Sequence, residues 1–288
     1  MSLTSFIKEK EVKELFSNEF DKPKDKITGE IKASPITNNY GMIGTAFDYL
    51  MRFYLKCHNP NAVDKAWVAE HSCKMTESYP LVYKKASSNL EFAKTAYSRY
   101  LKSGIIDDEI IKSSIFLAQL DPIYRAGRID ENMGSVNERD IQDLKNLISL
   151  VRAEEFNSNK YCLLNPTFNE ASSLVGGADA DIIIDNQLID IKTTKKLEIS
   201  REMFNQIIGY YVLGWIGGIG NERIDISNIT DIGFYFSRYG IKYMYKVEDI
   251  INPTTFSDFV DNFIDYAKKM FPQTEIRDKI NENIKKIL

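Results

Sequence analysis

Two spacings of apolar residues divide the chain. From about residue 42 to 155 they recur every three or four positions, the period of helices with one buried side. In GTAFDYLMRFYLKC, Phe47, Leu50, Met51, Tyr54 and Leu55 fall on or near one face; NAVDKAWVAEH, LEFAKTAYSRYLKSG, DDEIIKSSIFLAQLDPIYR and ERDIQDLKNLISLVRAEEF repeat the pattern, punctuated by Gly, Pro and Asn. After about residue 158 short strand-like runs take over: KYCLLNPTF, then ADADIII and QLIDIKTT joined by Asp185-Asn186, a dipeptide suited to a tight turn. SREMFNQIIGYYVLGWIGG predicts a helix with Ser200 as N-cap, DIGFYFSRYG and IKYMYKVED a second hairpin, and FSDFVDNFIDYAKKMF and RDKINENIKKIL amphipathic helices. This order predicts an α+β chain, a small mixed β-sheet flanked by helices with a large helical region before it or inserted into it. The expected boundaries are an N-terminal helical or extended segment at 1–41, a first core helix at 42–57, a helical insertion at 58–157, the sheet core at 158–250 and C-terminal helices at 251–288.

Composition narrows the classes. At 288 residues the chain is near the upper size for one core, and 43% hydrophobic with 27% charged residues is ordinary for a folded domain. A net charge of −4 gives no global basic field for nucleic acid, so any polyanion site has to be local. No stretch approaches the ~20 apolar residues that span a bilayer, and MSLTSFIKEKEVKELF predicts an amphipathic helix instead of a leader, so no membrane partner is expected. Cys57, Cys73 and Cys162 are scattered, with only His58 and His71 beside them; free thiols and a cytoplasmic setting are expected, and zinc or cluster ligation is not.

The chemistry concentrates in GGADADIIIDNQLIDIKTTKK, residues 176–196. With a two-residue turn at Asp185-Asn186, Ile184 faces Gln187, Asp181 faces Asp190 and Asp179 faces Lys192. Side chains alternate along a strand, so Asp179, Asp181, Asp190 and Lys192 are expected on one face, with Ala180, Ile182, Ile184, Ile189 and Ile191 on the other. Opposed carboxylates repel unless one is neutralised or a cation is bound. Mg²⁺ (or Mn²⁺) is the natural candidate, with the Ile191 carbonyl as a further oxygen ligand and Lys192 turned toward an anion sharing the metal. An acid-x-Lys triplet alone says little, since Glu11–Lys13, Glu30–Lys32 and Asp143–Lys145 have the same form. The bland alternative is a solvent-facing hairpin with a weak surface pair.

Taken with its surroundings the hairpin resembles the PD-(D/E)XK nuclease superfamily, and within it the RecB-like exonuclease branch. Gly176-Gly177-Ala178-Asp179-Ala180-Asp181 stands where that branch has a Gly-rich turn leading to an Asp. Asp190-Ile191-Lys192 stands for its acid-x-Lys strand, and Gln206-Ile207-Ile208-Gly209-Tyr210 for its Q-x-x-x-Y helix. Gly44-Thr45-Ala46-Phe47-Asp48 matches an upstream G-T-x-x-His motif except that Asp48 replaces the metal-binding His. The resemblance covers roughly residues 42–247, so that 158–250 with the helix at 42–57 becomes the nuclease core. It implies a metal-dependent deoxyribonuclease releasing 5′-phosphates, an exonuclease or a structure-dependent enzyme. In it Asp181 and Asp190 ligate Mg²⁺, with Asp179 the alternative to Asp181 and with Asp48 and the Ile191 carbonyl in support. Lys192 would orient or activate water, Gln206 would position the lysine or the substrate, and Tyr210 would contact the strand backbone.

Gln206 and Tyr210 lie off the apolar stripe of Met203, Phe204, Ile207, Ile208, Tyr211, Val212 and Trp215, the stripe expected to pack on the sheet. Candidate backbone contacts are Lys195 beyond the strand, with Lys196, Arg238 in a turn and Arg52, for which the alternative is simple pairing with Asp48 one helical turn away. His71 and Glu70 are expected as an exposed helix pair. The expected partner is DNA, with RNA as the alternative substrate. Without a phosphate-cradling G-x-x-x-x-G-K loop, helicase or targeting functions would come from a partner protein. A non-catalytic nucleic-acid-binding or assembly subunit on the same fold is the competing expectation, and a helical protein-interaction platform a third.

Overall fold

The computed structural model describes residues 2–24, 26–221 and 224–271. In chain order the elements are α1 (Leu3–Phe6), α2 (Lys10–Glu19), α3 (Tyr40–His58), β1 (Val63–Asp64), α4 (Val68–Met75), α5 (Pro80–Ser103), α6 (Asp108–Ala126), α7 (Glu138–Ile148), β2 (Cys162–Leu164), α8 (Glu170–Leu174), β3 (Ile182–Ile184), β4 (Gln187–Lys192), α9 (Arg201–Gly217), β5 (Asp231–Phe236), β6 (Ile241–Lys246) and α10 (Phe256–Met270). The α+β class is as expected. The helix expected over 277–288 lies outside the described residues.

Among the described residues the sheet is six-stranded and mixed, with the strands side by side in sequence order. β1 and β2 run parallel, as do β4 and β5; the other three pairs are antiparallel. β1 corrects the expectation from spacing. Val63–Asp64 lies in NAVDKAWVAEH, which has helical periodicity, but the helix starts only at Val68, and Val63 and Asp64 pair with Leu163 and Leu164. The expected N-terminal helix is likewise broken, into α1 and α2.

Both faces of the sheet are covered, so its strands are apolar on both sides, as III in β3 and GFYF in β5 require. On one face α3–α7 pack over Ile182, Ile184, Ile189 and Tyr235. On the other α1, α2, α9 and α10 pack over Ile183, Leu188, Ile232 and Phe234. The helical region between β1 and β2 therefore shares its core with the sheet. Within it α6 is the hub, packed against α3, α4, α5 and α7. Asp107 caps its start, accepting from the amides of Glu109 and Ile110, and Gly127 ends it at φ 62°.

Arg238 ties the N-terminal segment to the sheet. Its guanidinium, 1% exposed, donates to both carboxyl oxygens of Asp143 in α7 (2.9 and 3.2 Å) and to the Ala33 carbonyl (3.0 Å), while its own carbonyl accepts from the amides of Lys32 and Ala33. The expectation that Arg238 meets a phosphate is overturned: it is a buried clasp, already bonded on two sides.

Candidate functional site

The β3–β4 hairpin turns at Asp185-Asn186 as expected, with Ile184 opposite Gln187 and Ile182 opposite Ile189. Asp185 takes up φ 49°, and its carboxylate accepts the amides of Asn159, Lys160 and Tyr161 (2.9, 2.8 and 3.2 Å). Although partial burial works against it, these amides hold its pKa below the ordinary carboxylate range. Asp185 is therefore part of the hairpin's architecture.

Beyond Ile182 the two strands part. Residues 179–181 stay with the β2 side: the Asn165 amide donates to the Asp181 carbonyl (2.9 Å), the Ala180 amide to Pro166 (3.0 Å), and Asp179 bridges to Thr167. On the β4 side the Ile191 amide donates instead to Asp181 Oδ2 (2.6 Å), so a side chain spans the fork where the next ladder bond would form. This swerve breaks the expected alternation. Ala180 joins the core with Ile183 and Leu188, not the one with Ile182. Asp179 does not face Lys192; it pairs with Arg125 of α6 (3.4 Å). The four charged residues thus surround a fork instead of lining one face.

Asp190 and Lys192 point toward α9. The Lys192 ammonium lies 2.5 Å from Asp190 Oδ2 and donates to Gln206 Oε1 (2.9 Å); Gln206 Nε2 donates to the Tyr210 hydroxyl (2.9 Å). Residues expected to act together are thus joined in one chain of contacts. α9 places them there because Ser200 caps its first turn, accepting from the Met203 amide, and because Phe204, Ile207, Ile208 and Val212 are buried against the sheet side. Trp215, expected on that stripe, is 52% exposed, while Tyr210, off the stripe, is buried and stacks on Phe168.

Asp181 lines an open cleft of about 340 Å³ together with Tyr40, Gly41, Gly44, Thr45 and Asp48 of α3, Asp121 and Arg125 of α6, and Ile191 and Thr193. Burial, then the charges of Asp190 and Asp48, push the Asp181 carboxyl well above its ordinary pKa; the Ile191 amide and Lys192 oppose the rise. Asp190 is raised by burial against the pull of Lys192. Asp48 is raised by burial and by Asp179, against Arg52 and Arg125. Burial and then the charges of Asp190, Asp181 and Asp179 raise the Tyr210 phenol, so the site is felt electrostatically as far as α9. A second cavity, about 460 Å³, is lined by Asn39, Met42, Gln119, Asp130 and other residues, among which, of the described residues, there is no lysine or arginine.

Among the described residues no three or more His, Cys, Asp or Glu side chains are grouped so as to hold a metal ion. Mg²⁺ does not require three, since it binds through one or two carboxylates and keeps several waters. Asp181, Ile191 and Asp48 border one cleft, and Asp48 Oδ1 is buried without a hydrogen-bond donor. Hard oxygen atoms around a negatively charged fork fit such an ion. Asp48 Oδ2 is taken by Arg52 (2.9 Å).

Arg52 itself is 2% exposed and lies over the Tyr49 ring, which overturns its expected contact with nucleic acid. Lys195 is exposed, donates to the Tyr40 hydroxyl (2.8 Å) and sits over that cleft-lining ring. Lys196 pairs with Glu198. Glu70 pairs with Lys94, not His71, whose ring lies on Tyr124. Cys73 and Cys162 are buried and Cys57 partly so; all three are free thiols. Sequence reasoning passed over Tyr40 and Arg125. Tyr40 stands just before the Gly-Thr motif and could have been found there; nothing local marks Arg125.

No family model, curated protein or solved structure matches the chain. Among the described residues no helix is long and apolar enough to cross a membrane.

Proposed function

We propose that this chain is a Mg²⁺- or Mn²⁺-dependent nuclease of the PD-(D/E)XK type that hydrolyses phosphodiester bonds in DNA. The observation that carries the proposal is the Lys192 ammonium between Asp190 and Gln206, beside Asp181 at the opened end of a β-hairpin. Asp181, the Ile191 carbonyl and Asp48 would hold the ion, with Asp190, which is bonded to Lys192, as a further carboxylate. The bound ion would supply Lewis acidity to a phosphate oxygen and lower the pKa of water. Lys192 would hold the attacking water in line and offset the charge growing on the phosphate. Gln206 fixes the lysine through its carbonyl. The Tyr210 phenol, a neutral donor and acceptor, accepts from Gln206 and can donate to a backbone oxygen.

Labelled single- and double-stranded DNA and single-stranded RNA, each with Mg²⁺, Mn²⁺ or chelator, test this. Cleavage of DNA that needs the ion, and a Lys192→Ala variant that binds but does not cut, are expected. Mg²⁺ should also raise the melting temperature of the native protein but not of Asp181→Asn. Cleavage that persists in chelator, or an unaltered rate in Lys192→Ala, would refute the assignment. A second reading, a binding or assembly subunit without catalysis, is favoured by the guanidinium of Arg52, which already supplies one positive charge to a carboxylate that would hold the ion. It predicts DNA binding with neither cleavage nor a metal-dependent melting shift.

A further inference from the structure

The cleft has a surplus of negative charge. Asp48, Asp121 and Asp181 line it and Asp179 stands at its rim, so a polyanion entering it meets repulsion unless fixed cations accompany the metal. Lys192, bonded to Asp190 and Gln206, serves the scissile phosphate in the nuclease reading, and Lys195 is bonded to the cleft-lining Tyr40. Among the described residues the cleft-lining cation on the helical side is Arg125, in the last turn of α6.

The bonding of Arg125 is that of a group free to change partners. Its Nε lies 3.4 Å from Asp121 Oδ2 and its Nη2 3.4 Å from Asp179 Oδ2, well beyond the roughly 2.7–2.9 Å of strong charge-assisted bonds. Asp121 has a much closer partner in the Tyr49 hydroxyl, at 2.6 Å. The Arg125 side chain is 53% exposed, and a guanidinium has five donor hydrogens, of which these contacts use two. Lys65, just after β1, donates to Thr167 and feels the charge of Asp179, so a second cation stands near the same acid. Arg238, by contrast, holds its acid at 2.9 Å in a fully buried pair: one arginine is built in, the other held loosely in the open.

We propose that Arg125 binds a backbone phosphate neighbouring the scissile one, exchanging Asp179 for it, so that the helical layer between β1 and β2 contributes a phosphate subsite to the cleft. This rests on the nuclease reading for the word scissile, but its test does not depend on cleavage. Asp179 then acts as a placeholder for the phosphate, which accounts for an acid at a site that takes polyanions.

The test is the binding of fluorescein-labelled (dT)20 in chelator across a salt series, with wild type, Arg125→Ala, Arg125→Lys and Asp179→Asn. For a single strand, each cation–phosphate pair that is removed should flatten the slope of log affinity against log salt by about 0.7. Arg125→Ala is expected to bind roughly tenfold more weakly at low salt with a slope flatter by that amount, and Arg125→Lys to restore the slope. Asp179→Asn is expected to bind more tightly, because a competing carboxylate is gone. Were Arg125 only a structural partner of Asp179, both alanine and asparagine variants would weaken binding and neither would alter the slope; that result overturns the proposal, as does a wild type that binds neither in chelator nor with Ca²⁺ in its place. Cleavage by wild type with an unchanged slope in Arg125→Ala would sink the subsite alone. An Arg125-dependent slope in a protein that never cuts would sink the nuclease reading alone.

Discussion

Replacing Lys192 by methionine keeps much of the side chain's bulk and removes its charge, leaving Asp190 without its counter-ion. The Asp190 side chain is 3% exposed and that of Lys192 20%, with 2.5 Å between ammonium and carboxylate. At an effective dielectric of about 20 the gross attraction at that distance is about 7 kcal/mol, most of it offset by desolvation of the two ions. Loss of one partner from a buried pair costs about 3–5 kcal/mol, and the partial exposure of Lys192 argues for the lower end, about 3 kcal/mol. In a chain of this size that corresponds to a fall in melting temperature of roughly 6 °C. The deficit has a characteristic pH dependence. Burial already raises Asp190 above its ordinary pKa while Lys192 pulls it down, so without the lysine the folded-state pKa rises further. A raised acid keeps its contribution below the unfolded value and loses it as pH rises through the folded one. Melting curves of Lys192→Met against wild type should therefore nearly coincide at about pH 4 and separate toward about pH 8. Adding Asp190→Asn should remove most of the difference. A deficit equal at both pH values, or one that survives Asp190→Asn, would refute the pairing argument.

Two further predictions concern stability. Arg238→Met or Asp143→Asn should each cost about 3–5 kcal/mol by denaturant unfolding, because both side chains are buried and mutually bonded, whereas Arg238→Met with Asp143→Leu should recover much of that loss. Asp185→Asn should cost about 2 kcal/mol at about pH 7, since a carboxylate accepting three amides becomes an amide accepting fewer. With the folded pKa of Asp185 depressed, that stability is present above about pH 4 and lost as pH falls through the folded value, so the two proteins should converge toward about pH 2. A constant gap would show that the turn's φ, not the charge, sets the cost.

Much of the fold was legible because its signals are local. The helical spacing of α3, α5 and α6, the cap at Ser200 and the turn at Asp185-Asn186 each come from a few neighbouring residues. The hairpin register followed from the turn alone as far as Ile182, and failed at Asp181, where Asn165 and Pro166 capture the chain. Those partners belong to the neighbouring strand side, and no pattern within 176–196 points to them. Arg238 and Arg52 show the same limit. Each looked available because its partner or its burial depends on tertiary packing: Asp143 is 95 positions from Arg238, and Arg52 disappears beneath the helical layer. The Gln206–Tyr210 pair came through because a spacing of four on one helix fixes its own geometry.

The short edge strand β1 has a consequence for how the molecule assembles. Val63 and Asp64 meet partners about a hundred residues later in the chain, and the loop they close contains four helices. Such a contact is costly in chain entropy and brings only two residues of pairing, so it is expected to form late, once α4–α7 have docked. The same edge should open first under mild denaturant, exposing its amides to exchange well before the central strands β4 and β5.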